Sequence, residues 1–183
     1  MVKVSLNLDG RGQAEVKTGV SFLNHLLGAL SKHSLLDLKI VAESRGEPDL
    51  HHLVEDTAIV LGQAINSALG EKRGIRRFGS ALVPMDEAVA EVALDLSGRG
   101  YLVFESDLPS RSMEEIDAEM VRHFLRSLAF NGKFTLHVTK LGGRDYHHVA
   151  EALFKALGIA LRAASELDPR LGGQVPSQKG AIE

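Results

Sequence analysis

The 183-residue sequence predicts an α+β fold of two similar halves produced by an internal duplication, each a β-sheet packed against two helices. Three observations predict it. Apolar residues alternate in some stretches and recur at three- and four-residue steps in others, so strands and helices are both present. The order strand, helix, strand, helix occurs twice. One motif, His-His-x-x-Glu, also occurs twice, as His51-His52-x-x-Glu55 and His147-His148-x-x-Glu151.

In chain order, Val2 to Leu8 alternates apolar and polar and ends at Asp9-Gly10, a strand running into a tight turn. A helix follows, with Ser21 as candidate N-cap and Phe22, Leu23, Leu26, Leu27 and Leu30 on its apolar face; it carries His25. Leu36, Leu38 and Ile40 alternate with Asp37 and Lys39 in a strand, and Arg45 to Asp49 breaks the chain. The next helix carries His51, His52 and Glu55, buries Val54, Ala58, Leu61 and Ile65, and stops near Gly70, where glycine accepts the left-handed conformation.

The second half begins with strands over Ala88 to Leu96 and Tyr101 to Phe104, around Ser97-Gly98-Arg99-Gly100. Met113 to Ala129 reads as a helix containing His123. Phe134, Leu136 and Val138 alternate as a strand, Gly142 to Asp145 forms a loop, and a helix from about Tyr146 to Ser165 carries His147, His148 and Glu151. His25 aligns with His123, and Leu61-Gly62-x-Ala64 with Leu157-Gly158-x-Ala160. Two copies are too few for a stacked array, so we divide the chain into halves at 1–87 and 88–183.

Composition narrows the function. With 44% hydrophobic residues the chain can bury a core, and a net charge of −3 gives no footprint for nucleic acid or an anionic membrane. No Cys excludes disulfide frameworks, thiolate metal sites and cysteine nucleophiles, and fits a reducing, cytoplasmic home. No secretory signal or membrane-spanning run is expected.

Chance would produce His-His-x-x-Glu roughly 0.03 times in such a chain, so two copies in matching contexts form a strong signal. Six of the eight histidines belong to the two constellations. The plainer reading, core or surface histidines that merely accompanied a duplication, sits poorly with that concentration. Neighbours on a helix point about 100° apart while positions four apart share a face, so His51 and His52 cannot easily grip one ion together. One of each pair can join its Glu, leaving the other to reach a different ion. We therefore expect two metals per chain, each held by three imidazoles and one carboxylate. His25 and His123 complete the sets, and some ligands come from a neighbouring subunit. Imidazole suits Zn, Fe, Ni or Cu, and carboxylate shifts preference toward Mn or Mg; a mixed site with open positions fits Mn or Fe best, with zinc still open. The zinc-protease order His-Glu-x-x-His is absent.

The chain resembles the imidazoleglycerol-phosphate dehydratases from about Val2 to Gly180. The resemblance is carried by Phe22-Leu23-Asn24-His25, His51-His52-x-x-Glu55-Asp56, Arg77-Phe78-Gly79, Pro84-Met85-Asp86-Glu87-Ala88, Asp95-Leu96-Ser97-Gly98-Arg99, His123-Phe124, His147-His148-x-x-Glu151-Ala152, Phe154-Lys155-Ala156 and Pro176-Ser177-Gln178-Lys179-Gly180. It implies a fold like ribosomal protein S5 domain 2, two Mn²⁺ per subunit at subunit interfaces, a 24-subunit homo-oligomer and a C-terminal substrate loop. It also implies the reaction, loss of water from imidazole glycerol phosphate to give imidazole acetol phosphate in histidine biosynthesis. In that reading the ions act as Lewis acid and template on the azole, whose deprotonated ring expels hydroxide through a diazafulvene-like intermediate.

By the same resemblance the ligands are His25, His51, His52, Glu55, His123, His147, His148 and Glu151. Glu55 and Glu151 are candidates to shuttle protons. His33, Arg77, Arg99, Lys155, Ser177, Gln178 and Lys179 would hold the phosphorylated imidazole, with guanidinium forks matching phosphate oxygens. Lys155 also follows Glu151 by one helical turn. His33 serves equally as a core or capping residue, His137 reads as structural, and Phe22, Phe124 and Phe154 read as core. The chain departs from the family in three places. It starts after an Arg-x-Thr-x-Glu-Thr stretch whose glutamate contributes to the substrate site. Leu50 stands in a shortened loop where an aspartate commonly precedes the histidine pair, and Ala29 stands where Gln is common. No phosphatase domain is fused, so one function is expected. A different metalloenzyme, such as a hydrolase, and a non-catalytic metal-stabilised assembly are the alternatives. A structural cage has no need for Arg77, Arg99 and Lys179.

Overall fold

The computed structural model describes residues 1–43, 50–105, 107–108 and 114–182. The first half supplies strands β1 (Val2–Asn7) and β2 (Ala14–Lys17), helix α1 (Ser21–Ser34), strand β3 (Asp37–Ala42) and helix α2 (Leu50–Leu69). After α2 come β4 (Phe78–Met85), β5 (Ala88–Asp95), β6 (Tyr101–Glu105), α3 (Ala118–Gly132), β7 (Thr135–Gly142) and α4 (Tyr146–Ser165), followed by a 3-10 turn at Pro169–Leu171. In the first sheet, of order β1-β3-β2, β1 pairs antiparallel and β2 parallel with β3. In the second, β5 pairs antiparallel and β6 parallel with β7, the same arrangement with β4 added beside β5. The architecture is therefore α+β with duplicated halves.

Several sequence expectations shift at their edges. Strands β2 and β4 escape the periodicity reading. The four residues of β2 are too short for an alternation to register, and β4 carries Pro84, which its edge position tolerates. A turn at Asp86 and Glu87 joins β4 to β5, with Asp86 at φ 48°, so the 87/88 boundary falls inside this hairpin. Helix α3 begins at Ala118, not near Met113, because the Asp117 side chain accepts the Met120 N–H at 2.9 Å and caps it there; Met113 itself, like Arg45 to Asp49, lies outside the described residues. Ser21 does not cap α1. Val20 holds that position without a side-chain bond, and the Glu115 carboxylate instead accepts the backbone N–H groups of Ser21 (3.1 Å) and Phe22 (2.8 Å). Gly70 takes φ 53° after α2, as the sequence suggests.

Helices pack across the halves: α1 lies against α4, and α2 against α3. The duplicated glycines make those crossings close. A Cβ on Gly158 would stand 2.7 Å from the Leu30 carbonyl oxygen of α1, and one on Gly62 would stand 2.7 Å from the Leu128 carbonyl oxygen of α3. Leu23, Leu26, Leu27 and Leu30 of α1, Val54, Leu61 and Ile65 of α2, and Phe124 and Phe154 of α3 and α4 are buried in one core with Ile40, Val92 and Val138 of the sheets. Phe22 is buried with them. His137 is exposed on the second sheet beside Phe78 and Thr135, so it does not belong to the core. Among the described residues no helix is long and apolar enough to cross a membrane.

Candidate metal centres and anion pocket

The cross-half packing decides which histidines meet. The first cluster joins His25 of α1 to His147 and Glu151 of α4: His25 Nε2 lies 2.9 Å and His147 Nε2 3.4 Å from Glu151 Oε2. The second joins His123 of α3 to His51 and Glu55 of α2, with His123 Nε2 3.2 Å from Glu55 Oε1 and the His51 and His123 rings stacked at 4.6 Å. In each cluster the three donor atoms lie within 4.8 Å of one another, close enough for one cation to touch all three. His25 thus completes the set of the other half, as does His123, and the first histidine of each pair is the one sharing a helix face with its glutamate.

The second histidine of each pair turns away. The His51 and His52 rings stand at 88° and the His147 and His148 rings at 86°. Within one chain, each cluster gathers two imidazoles and one carboxylate, not the three imidazoles expected of a full set.

The donors suit a divalent cation. His123 Nε2 is buried without a hydrogen-bond partner although Glu55 is beside it, an arrangement that costs free energy unless something else satisfies the lone pair. In the first cluster Glu151 is only 8% exposed. Burial alone would raise its carboxyl pKa, but hydrogen bonds from Lys155 (2.8 Å) and His25 outweigh that and hold it at about 2. Glu151 is therefore a fixed anion at neutral pH. His33 borders this cluster; burial and the Lys155 cation hold it below the ordinary histidine value, against the opposing pull of Glu151. Lys155 contacts Glu151 and Met85 Sδ, which puts it at the cluster and not among the other cations expected to bind phosphate.

The α4 pair is fixed at several points. Asp145 caps the helix, accepting from the His147 and His148 N–H groups at 2.8 and 3.3 Å. His148 Nδ1 lies 2.8 Å from Glu87, which also accepts the Arg144 and Asp145 N–H groups. The His148 bond is the leading cause of a Glu87 pKa near 2, and the same bond raises His148. Sequence reading missed Glu87 and Glu114 as partners of these rings. Asp145 carries a capping signal, whereas nothing in the spacing of the two glutamates points to His148 or His147. Leu50 opens α2 as Tyr146 opens α4.

Arg77, Ser97, Arg99, Ser177, Gln178 and Lys179 line a separate cavity of about 680 Å³. Arg77 is half committed to structure: its Nε and Nη2 donate to Asp95 at 2.8 and 3.2 Å, and its Nη1 donates to the Pro176 carbonyl at 2.9 Å. That ties the C-terminal loop to the end of β5. The Arg77 N–H also meets the Ala164 carbonyl near the C-terminus of α4, while Glu151 lies near its start. At 1.5 Å per residue the separation along α4 is about 20 Å. Strand β5 gives a similar figure, about 23 Å, because its first residue Ala88 abuts Gly143 and its last, Asp95, holds Arg77.

A sequence model of the imidazoleglycerol-phosphate dehydratase family matches residues 18–161. The Acidiphilium cryptum enzyme of that name is 50% identical over 181 residues, covering 99% of this chain and 92% of the relative. The one from Granulibacter bethesdensis is 51% identical with the same coverage. Among solved structures, the Staphylococcus aureus imidazoleglycerol-phosphate dehydratase superposes with a TM-score of 0.84 at 36% identity, covering 92% of this chain and 95% of its own. The Pyrococcus furiosus protein, solved with (S)-C348, gives 0.81 at 31%, covering 99% and 95%.

Proposed function

Because the chain belongs to the imidazoleglycerol-phosphate dehydratase family, and is by that membership a hydro-lyase of histidine biosynthesis, we propose that it converts imidazole glycerol phosphate to imidazole acetol phosphate and water with two Mn²⁺ per chain. The observation that carries the metal reading is the pair of three-donor clusters, one with a buried imidazole nitrogen left without a hydrogen bond. His25, His147 and Glu151 would hold one ion, and His51, Glu55 and His123 the other. Mixed imidazole and carboxylate donors with open positions favour Mn²⁺. When bound, the ions would supply Lewis acidity toward the azole ring and a template for its orientation.

The remaining work falls to side chains. Glu151, anionic and hydrogen-bonded by Lys155, anchors a cation and is too weak a base to take a proton from carbon. His33, held neutral, can accept or donate a hydrogen bond at the first cluster. Arg99 and Lys179, with the Ser177 hydroxyl and the Gln178 amide, would bind the phosphate, and Arg77 would hold their loop in place while offering its remaining N–H groups.

A small phosphorylated imidazole cannot span the roughly 20 Å between the first cluster and the anion pocket of its own chain. We therefore infer that a neighbouring copy supplies the phosphate grip, and that His52 and His148, turned out of their own clusters, supply the missing imidazoles. This calls for a homo-oligomer, for which we propose 24 subunits. The same reading places the reaction in the cytoplasm, in keeping with a chain free of cysteine.

The test combines metal analysis, gel filtration before and after chelation, and an ultraviolet assay for imidazole acetol phosphate. About two ions per chain, a smaller particle after chelation and turnover restored by Mn²⁺ are expected. An apoprotein of unchanged size and full activity would overturn the proposal.

A further inference from the structure

We propose that Glu114 is a positioning residue for the first cluster, setting the tautomer and the ring flip of His147; this rests on the reading that the cluster holds a divalent cation. Glu114 precedes α3 and reaches across to α4, where its Oε1 lies 2.8 Å from His147 Nδ1. A carboxylate is acceptor-only, so this contact places the ring proton on Nδ1 and leaves the lone pair on Nε2. Nε2 is the nitrogen that faces Glu151 Oε2.

Neighbouring rings fix the plane of the imidazole but not which edge points where. Phe22 packs on His147 at 5.1 Å between centroids and His25 at 5.2 Å, and either would accept a ring turned by 180°. In the turned ring a carbon would occupy the Nδ1 position and forfeit the bond to Glu114. One carboxylate thus distinguishes two orientations that packing treats alike, and only one of them aims a lone pair at the cluster.

The residues after Glu114 hold its segment against the same cluster. Glu115 accepts two N–H groups at the start of α1, the helix bearing His25, and the Ile116 carbonyl accepts the Tyr146 hydroxyl at 2.9 Å beside His147. The three residues therefore join α1 and α4 where the cluster's donors converge.

Mn²⁺ titration of the full-length protein, with free ion followed by its electron paramagnetic resonance signal, tests the role without using activity. Glu114→Ala is expected to weaken one of the two ions by about 10- to 100-fold and leave the other unchanged. Glu114→Gln, which can still accept from Nδ1 but carries no charge, should fall between. In a His147→Ala background Glu114→Ala should have no further effect on affinity, whereas a merely structural glutamate would add its own loss. Wild-type affinity at both sites in Glu114→Ala, or an undiminished effect in the His147→Ala background, would overturn the inference. A wild-type protein that binds no Mn²⁺ would instead overturn the metal reading beneath it.

Discussion

His25 and Glu151 meet at 2.9 Å although one lies on the first helix and the other on the last. The contact exists because duplicated halves exchange partners, α1 packing on α4 and α2 on α3. Each His-His-x-x-Glu helix is completed by a histidine from the opposite half. Neither half alone can assemble a cluster.

Glu151→Gln should abolish turnover and lower bound metal by about one ion per chain. It should also change acid stability. The Glu151 carboxyl is depressed from 4.5 to about 2 in the folded chain, so its stabilisation is present above 4.5 and lost as pH falls toward 2. Denaturant midpoints of the metal-free proteins should differ most near pH 7, draw together below pH 4.5 and converge only as pH reaches about 2. Wild-type kinetics and metal content in the variant would remove Glu151 from the site.

Much of this was legible in the sequence for a physical reason. The spacing of His51 and Glu55, or of His147 and Glu151, fixes a shared helix face, and helix periodicity is a local property. The Leu61-Gly62 and Leu157-Gly158 repeats show the duplication, but that these glycines sit where helices cross shows only in the structure. Which histidine from elsewhere completes a cluster depends on tertiary packing, and periodicity carries no such information. Glu114 and Glu87 were invisible for the same reason: each acts across more than 30 residues of chain, in segments with no regular pattern. The Glu115 cap on α1, 94 residues from Ser21, shows how far a helix end can look for its partner.

Gly158→Ala should destabilise the protein by about 1–3 kcal/mol, because its new Cβ would press on the Leu30 carbonyl oxygen at 2.7 Å and the Ser34 nitrogen at 3.0 Å, both backbone. The strain acts on the α1–α4 crossing that brings His25 to Glu151, so metal retention should fall with stability. Gly62→Ala should do the same at the α2–α3 crossing, affecting the His51 and His123 cluster. Denaturation curves with and without Mn²⁺ check both, and a stability loss with no change in metal binding would show that the crossings tolerate displacement.

Metal binding should strengthen with pH. The Glu87 carboxylate raises the pKa of His148 above 6.5, so in the metal-free chain their bond stabilises fully below 6.5 and is lost as pH rises through the raised value. A cation taken by His148 must displace that proton. Apparent Mn²⁺ affinity should therefore drop between pH 8 and pH 6, by up to about tenfold per pH unit for one proton. Glu87→Gln removes the main cause of the shift and should flatten the profile. Titrations at several pH values, with proton release measured in weak buffer, check this; an identical slope in the variant would detach His148 from the metal.

Lys179→Ala and Arg77→Lys should separate binding from architecture. On the proposed reading Lys179 would offer the phosphate a point charge, so its removal should raise KM about tenfold or more while leaving kcat within about threefold. Arg77 instead spends three N–H groups on Asp95 and the Pro176 carbonyl, a planar arrangement that lysine cannot reproduce. Keeping the charge in Arg77→Lys should therefore not rescue function: the loop carrying Ser177, Gln178 and Lys179 loses its tie, KM rises, and limited proteolysis cuts near Pro176 faster. Should Arg77→Lys keep a wild-type KM and protease resistance, the strut role of Arg77 would be wrong, and its charge alone would account for its place in the pocket.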